Sequence, residues 1–185
     1  MRNTLRRIAI GVLTTGMIAT MAIGASAGAA SAASARGTTA VAEIQPALVW
    51  PVVRKGDHGL RVVKIQLLLI QHGVQVNVDG KYGLQTEFGV KFFQKMNHIY
   101  PSGVVRARTW EKLIVTIGKG SVGAAVSAVQ IELKFMYGFR SLTADAVFGR
   151  ATERAVKLFQ KRYHLRPDGI VRPATWNALV VNDNR

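Results

Sequence analysis

The fold class this sequence predicts is all-α, with two tandem units of three short helices each. Two observations predict it. Residues 82–113 (YGLQTEFGVKFFQKMNHIYPSGVVRARTWEKL) and 148–179 (FGRATERAVKLFQKRYHLRPDGIVRPATWNAL) align without a gap at an offset of 66, with 16 of 32 positions identical. Self-similarity of this size marks one supersecondary unit used twice. Within the repeat, apolar residues recur at three- and four-residue steps, and no stretch alternates as a half-buried strand would.

The elements follow in order. Arg2, Arg6 and Arg7 precede an apolar run from about Ile8 to Ile23, followed by Ala-x-Ala patterns that end at Ala27, Ala32 and Ala35. That order is the signature of a secretory signal peptide, assigned here to residues 1–35, with the mature chain starting between about Gly28 and Thr38. The Arg6-Arg7 pair raises a twin-arginine signal as an alternative, and an uncleaved membrane anchor is another. Residues 36–49 lack a sustained period and read as a linker. The first unit is expected over 50–116 and the second over 117–185.

Trp50-Pro51 opens the first unit, with the indole expected at the edge of a core. Residues 60–72 (LRVVKIQLLLIQH) then form a helix closed by Gly73, echoed by residues 124–137 (AAVSAVQIELKFMY) and Gly138. Gln66 and Gln130 lie on the apolar stripe. A buried amide must find partners, so each is expected to pin turn backbone, with ligand contact as the alternative. A second helix carries Thr86/Thr152, Val90/Val156 and Phe93/Phe159 and ends near His98/His164. Histidine tolerates the left-handed position that a helix end calls for, which leaves these two without a catalytic role. A third helix opens at Ala107 and Pro173, with Trp110/Trp176 and Leu113/Leu179 facing the core. Counting back by 64, Thr116-Ile117 matches Val52-Val53, so the first unit runs into the second with essentially no linker.

Composition narrows the chemistry. The 185 residues include no cysteine, which excludes disulfides, thiolate catalysis and Cys-ligated zinc. The net charge is +15. A cut after Ala35 would leave 22 basic against 10 acidic residues, about +12, and a charge of that size fits polyanionic surroundings. His58, His72, His98 and His164 form no HExxH pattern. Glu87 and Glu153 match between the units, but each sits in a helix first turn where a carboxylate favours the dipole. Glycosidases need two carboxylates across one cleft, and each unit offers few. No nucleophile elbow and no phosphate loop is present. The reading is therefore not an enzyme, with no cofactor and no metal.

With the departures named below, both units follow the order Gly-x-x-Gly-x-x-Val-x-x-x-Gln, Asp-Gly-x-Tyr/Phe-Gly-x-x-Thr, Val-x-x-Phe-Gln, then Asp-Gly-x-Val-x-x-x-Thr-Trp-x-x-Leu. This order resembles the peptidoglycan-binding domain 1 family, twice over, from about Trp50 to Val181. The resemblance implies three-helix wall-binding modules, with catalysis left to a separate domain for which the chain is expected to have no length. Three departures stand out: Ala146 for the glycine of the first turn, Ser102 for the aspartate of the second, and Arg106/Arg172 where Asp or Gly is frequent.

The resemblance also implies a groove beside the polar turns. Its site residues would be Asp79, Gly80 and Tyr82 in the first unit and Asp145, Phe148, Asp168 and Gly169 in the second. The alternative is that the aspartates only bond turn backbone. The expected partner is peptidoglycan, joined by anionic wall polymers and a wall hydrolase. Nucleic acid is not expected, nor stable membrane insertion after signal cleavage. The leading function is a secreted, wall-associated binding protein whose two repeats act together. The alternatives are a secreted regulator or inhibitor of a wall hydrolase and a charge-driven binder of anionic polymers.

Overall fold

The computed structural model describes residues 48–182, all within one compact unit. The expected signal peptide and nearly all of the expected linker lie outside the described residues. Six helices follow in chain order: α1 (Leu60–Gln71), α2 (Leu84–Met96), α3 (Ala107–Leu113), α4 (Ala124–Met136), α5 (Arg150–Arg162) and α6 (Pro173–Val181). The described residues contain no strand, only four isolated antiparallel bridges. The all-α, two-times-three architecture is the predicted one.

The bridges recur with the repeat. Val53 pairs with Val105 and Ile117 with Val171, which ties the lead-in of each unit to the start of its third helix. His58 pairs with Lys81 and Val122 with Val147, which ties the first loop to the turn before the second helix. The loops are therefore anchored by backbone hydrogen bonds at both ends, which leaves few buried amide groups unmet.

Each core forms around the matched aromatics. Trp110, Trp176, Phe93 and Phe159 are buried. Trp110 Nε1 donates to Pro51 O at 2.8 Å and Trp176 Nε1 to Val115 O at 2.7 Å. The indoles thus bury their ring area while their one polar atom finds a carbonyl. Trp50 stacks on Trp110 with ring centroids 5.7 Å apart and is itself buried. His98 and His164 take φ of 55° and 53°, the left-handed position expected for them.

The two units share one core. Helices α1 and α4 make the most extensive helix–helix contact, and both are largely buried, with Ile65 and Leu68 on α1 and Ala125, Ala128 and Val129 on α4 in the shared core. Small side chains on α4 let the two backbones approach closely. Gln71 Oε1 crosses to accept from Ala125 N at 3.0 Å, capping the start of α4. In return, Lys64 Nζ donates to Leu179 O at 2.9 Å and Arg61 Nε to Val180 O at 3.2 Å, near the C-terminus of α6. Cations at a helix C-terminus are favoured by its dipole.

Candidate functional site

Each unit has two turns, and a buried glutamine organises each of them. At the first turn, Gln66 Nε2 donates to Asp79 Oδ1 (2.8 Å), Lys81 O (3.1 Å) and Thr86 Oγ1 (3.0 Å), while its Oε1 accepts from Gly80 N (2.9 Å). Gln130 repeats this with Asp145 Oδ1 (2.8 Å), Val147 O (3.0 Å), Thr152 Oγ1 (3.0 Å) and Ala146 N (3.0 Å). The expected role of these amides holds in both units. At the second turn, Gln94 and Gln160 do the same for Gly103 and Gly169, accepting from each glycine N at 2.9 Å. Sequence reasoning missed this second pair, although Gln94/Gln160 is one of the identical positions.

The carboxylates are committed to the turns. Asp79 Oδ1 also accepts from Lys81 N (2.9 Å), and that bond, then Gln66, holds its pKa below the usual carboxylate range. Asp145 is lowered by Val147 N and then Gln130. Asp168 is lowered first by Ile170 N at 2.9 Å, with Arg172 pairing to its other oxygen.

Tyr82 and Phe148 are corrections to the expected site. Both side chains are buried at 1% exposure. The Tyr82 hydroxyl donates to Gly103 O at 2.8 Å and so links the two turns of the first unit. Burial pushes its pKa far up. The aromatic at this position fills the space under the first loop, so neither ring is available to a ligand. Gly80 is also buried, with its amide held by Gln66.

Asp168 and Gly169 do come together in a groove. A cleft of about 380 Å³ lies between Thr116–Ser121 and Asp168–Ile170, with Glu153 on one side. Asp79 and Asp145 do not line it. Gly169 has φ of 77°, and a Cβ there would meet Glu153 Cγ at 2.9 Å. Only glycine fits that backbone and that approach.

A cation–carboxylate–cation row lies alongside. Glu153 pairs with Lys157 at 2.7 Å and Lys119 at 3.8 Å. The first unit has the same row, with Glu87 paired to Lys91 at 2.6 Å and Lys55 at 3.6 Å. Lys119 and Ser121 were not picked from the sequence as site residues. The matched Lys55/Lys119 and Glu87/Glu153 positions were the available signal. The lysine hydrogen bond holds each glutamate below its usual range, so both stay ionised near neutrality. A general acid needs the opposite shift. The groove offers a hydroxyl, a cation, fixed carboxylates and backbone edges, which suits hydrogen bonding to an amide- and hydroxyl-rich ligand.

The sequence pattern of the peptidoglycan binding domain family matches residues 58–113 and 122–179, together more than half of the chain. The chain belongs to that family. Among similar curated proteins, a probable N-acetylmuramoyl-L-alanine amidase of Bacillus licheniformis is 29% identical, over 67% of this chain and 43% of that protein. The zinc D-Ala-D-Ala carboxypeptidase of Streptomyces albus G is 43% identical, over 35% of this chain and 26% of that protein. The chain thus spans less than half the length of these relatives. Among solved structures, a peptidoglycan-binding protein from Clostridioides difficile, in complex with glutamine hydroxamate, is 35% identical over 34% of this chain and 40% of that one, with a TM-score of 0.34. The SleB N-terminal domain is 28% identical over 36% of this chain and 93% of that one, also at 0.34.

Proposed function

We propose that this protein is a secreted, non-catalytic binder of peptidoglycan that engages the wall through both repeats. The observation that carries this is the groove between Thr116–Ser121 and Asp168–Ile170, beside a Lys–Glu–Lys row that recurs in the first unit. Family membership supplies the ligand class. The ionised state of Glu153 and Asp168 favours recognition over acid catalysis, and Ser102 leaves the first unit without the second carboxylate. Export rests on the N-terminal charge and hydropathy order. Among the described residues no helix is long and apolar enough to cross a membrane, and no acidic or histidine cluster could hold a metal ion.

Two sites within one compact unit suit a repetitive polymer. Once the first groove is filled, the second contact is intramolecular, and avidity can exceed single-site affinity by ~10²–10⁴ where the geometry allows both. The test is sedimentation of the full-length chain with purified, acid-stripped peptidoglycan in moderate salt. Thr116→Trp would fill the groove of the second unit from an exposed position, and Val52→Trp would place an indole at the matching position of the first, where Val52 lines a cavity of about 340 Å³ with Gly56, Asp57 and His58. Each variant, shown folded by circular dichroism, is expected to bind more weakly, and the double variant far more weakly still. Unchanged binding by the folded double variant would overturn the groove reading.

A further inference from the structure

The two units present opposite chemistry on the exposed face of their second helices. On α2 the outward positions are Leu84, Phe88, Phe92 and Met96, with Phe88 74% exposed. The matching positions of α5 are Arg150, Arg154, Leu158 and Arg162, all exposed. The buried faces of the same helices are nearly identical, with Thr86/Thr152, Val90/Val156, Phe93/Phe159 and Gln94/Gln160. Folding therefore accounts for the shared face and not for the arginines.

Two of those arginines, Arg150 and Arg154, border a cavity, and Arg162 lies beyond it on the same helix. A groove of about 270 Å³ is lined by Lys119, Arg150, Glu153, Arg154 and Lys157, four cations against one carboxylate. It shares Lys119 and Glu153 with the neighbouring candidate site. Glu153 is paired to Lys157 and Lys119 and also feels the charge of Arg150, so it does not neutralise Arg154 or Arg162. Among the described residues, neither Arg154 nor Arg162 has a carboxylate within ion-pair distance. Arg150 and Arg154 are one helical turn apart, about 6 Å along the axis, and Arg162 lies about 12 Å further. Guanidinium groups bind phosphate oxygens in bidentate fashion, and arginine outnumbers lysine on this row.

We propose that the Arg150–Arg154–Arg162 face of α5 is a binding site for a linear phosphodiester polyanion, laid along the helix and continuing from the groove beside Asp168. The wall-binding reading points to a wall-attached phosphate polymer as the source, and the proposal rests on that reading for the source alone. The unit carrying the arginines then holds the polymer, and the first unit does not.

The test uses the full-length chain carrying Arg150→Gln, Arg154→Gln and Arg162→Gln together. Its control carries Lys81→Gln, Lys95→Gln and Lys112→Gln, three exposed cations of the first unit with the same change in charge. Binding is measured to walls that retain their phosphate polymers, to acid-stripped walls, to soluble poly(glycerol phosphate) and to phosphatidylglycerol vesicles. The arginine variant is expected to lose about tenfold or more on polymer-bearing walls and soluble polymer, with the salt slope reduced by roughly one per cation removed. Its binding to stripped walls should match the parent chain, and the lysine control should change little. Equal losses in the two variants would make the effect general charge and overturn the site. Arginine-dependent capture by vesicles without capture of the polymer would assign the face to a lipid surface and overturn the polymer. Failure of the parent chain on stripped walls alone would count against the groove of the preceding section and leave this site standing.

Discussion

Lys64 on α1 and Glu132 on α4 form an ion pair 2.7 Å long that joins the two repeats, with the side chains only 2% and 1% exposed. The repeat does not produce this pair. Counting by 64, Lys64 matches Ala128 and Glu132 matches Leu68, so an apolar symmetric contact has been replaced at one place by a charged, asymmetric one. Removing one partner leaves a buried uncompensated charge, so Lys64→Met is expected to cost about 3–5 kcal/mol. The double variant Lys64→Met, Glu132→Leu should recover most of that. Urea melts followed by circular dichroism measure both. Two singles with no effect would mean that water reaches the pair.

The matched aromatics should behave as core. Phe159→Ala and Trp176→Ala are each expected to destabilise by roughly 3–5 kcal/mol, through lost burial and the cavity left behind. Phe93→Ala and Trp110→Ala should act alike in the first unit. Because the two units share the α1–α4 contact, damage in either should lower one common unfolding transition rather than split it. Two separate transitions in calorimetry would show that the units melt independently.

Ala146 stands at φ of 62°, where the matched residue of the first unit is Gly80 at 67°. A non-glycine residue there carries left-handed strain, partly offset by the lower entropy of its unfolded chain. Ala146→Gly is expected to stabilise by about 1 kcal/mol. Gly169→Ala should destabilise, since it adds strain at φ of 77° and a contact of 2.9 Å with Glu153. Thermal midpoints moving in the same direction for both substitutions would refute this account.

Stability should fall in acid. Asp79, Glu87, Asp145, Glu153 and Asp168 are all held below the usual carboxylate range by hydrogen bonds that exist only in the folded chain. Their folded pKa values lie below the unfolded ones, so the unfolded chain takes up protons first as pH drops. The stability they add is complete above about pH 4 to 5 and is lost as pH falls through their folded values. Melting temperatures at pH 7, 5 and 3 would show a drop confined to the lowest step, smaller in Asp168→Asn. A flat profile from pH 5 to 3 would contradict the hydrogen bonds as drawn.

The sequence by itself determined the fold class, the order of the helices and the roles of Gln66, Gln130, His98 and His164. Each of these is a local property: apolar spacing, a helix end, or an amide caught on an apolar stripe next to a turn. Repetition made them readable, because a residue retained in two copies marks a requirement of the shared unit. The tertiary structure decided what the repeat cannot encode. Tyr82 and Phe148 look like turn residues in sequence, yet the first loop folds over them and makes them core. Lys119 and Glu153 are 34 positions apart and meet only because the loop before α4 packs beside α5. Lys64 and Glu132 meet because α1 and α4 pack face to face, and no periodicity within one helix specifies which face of another will cover it.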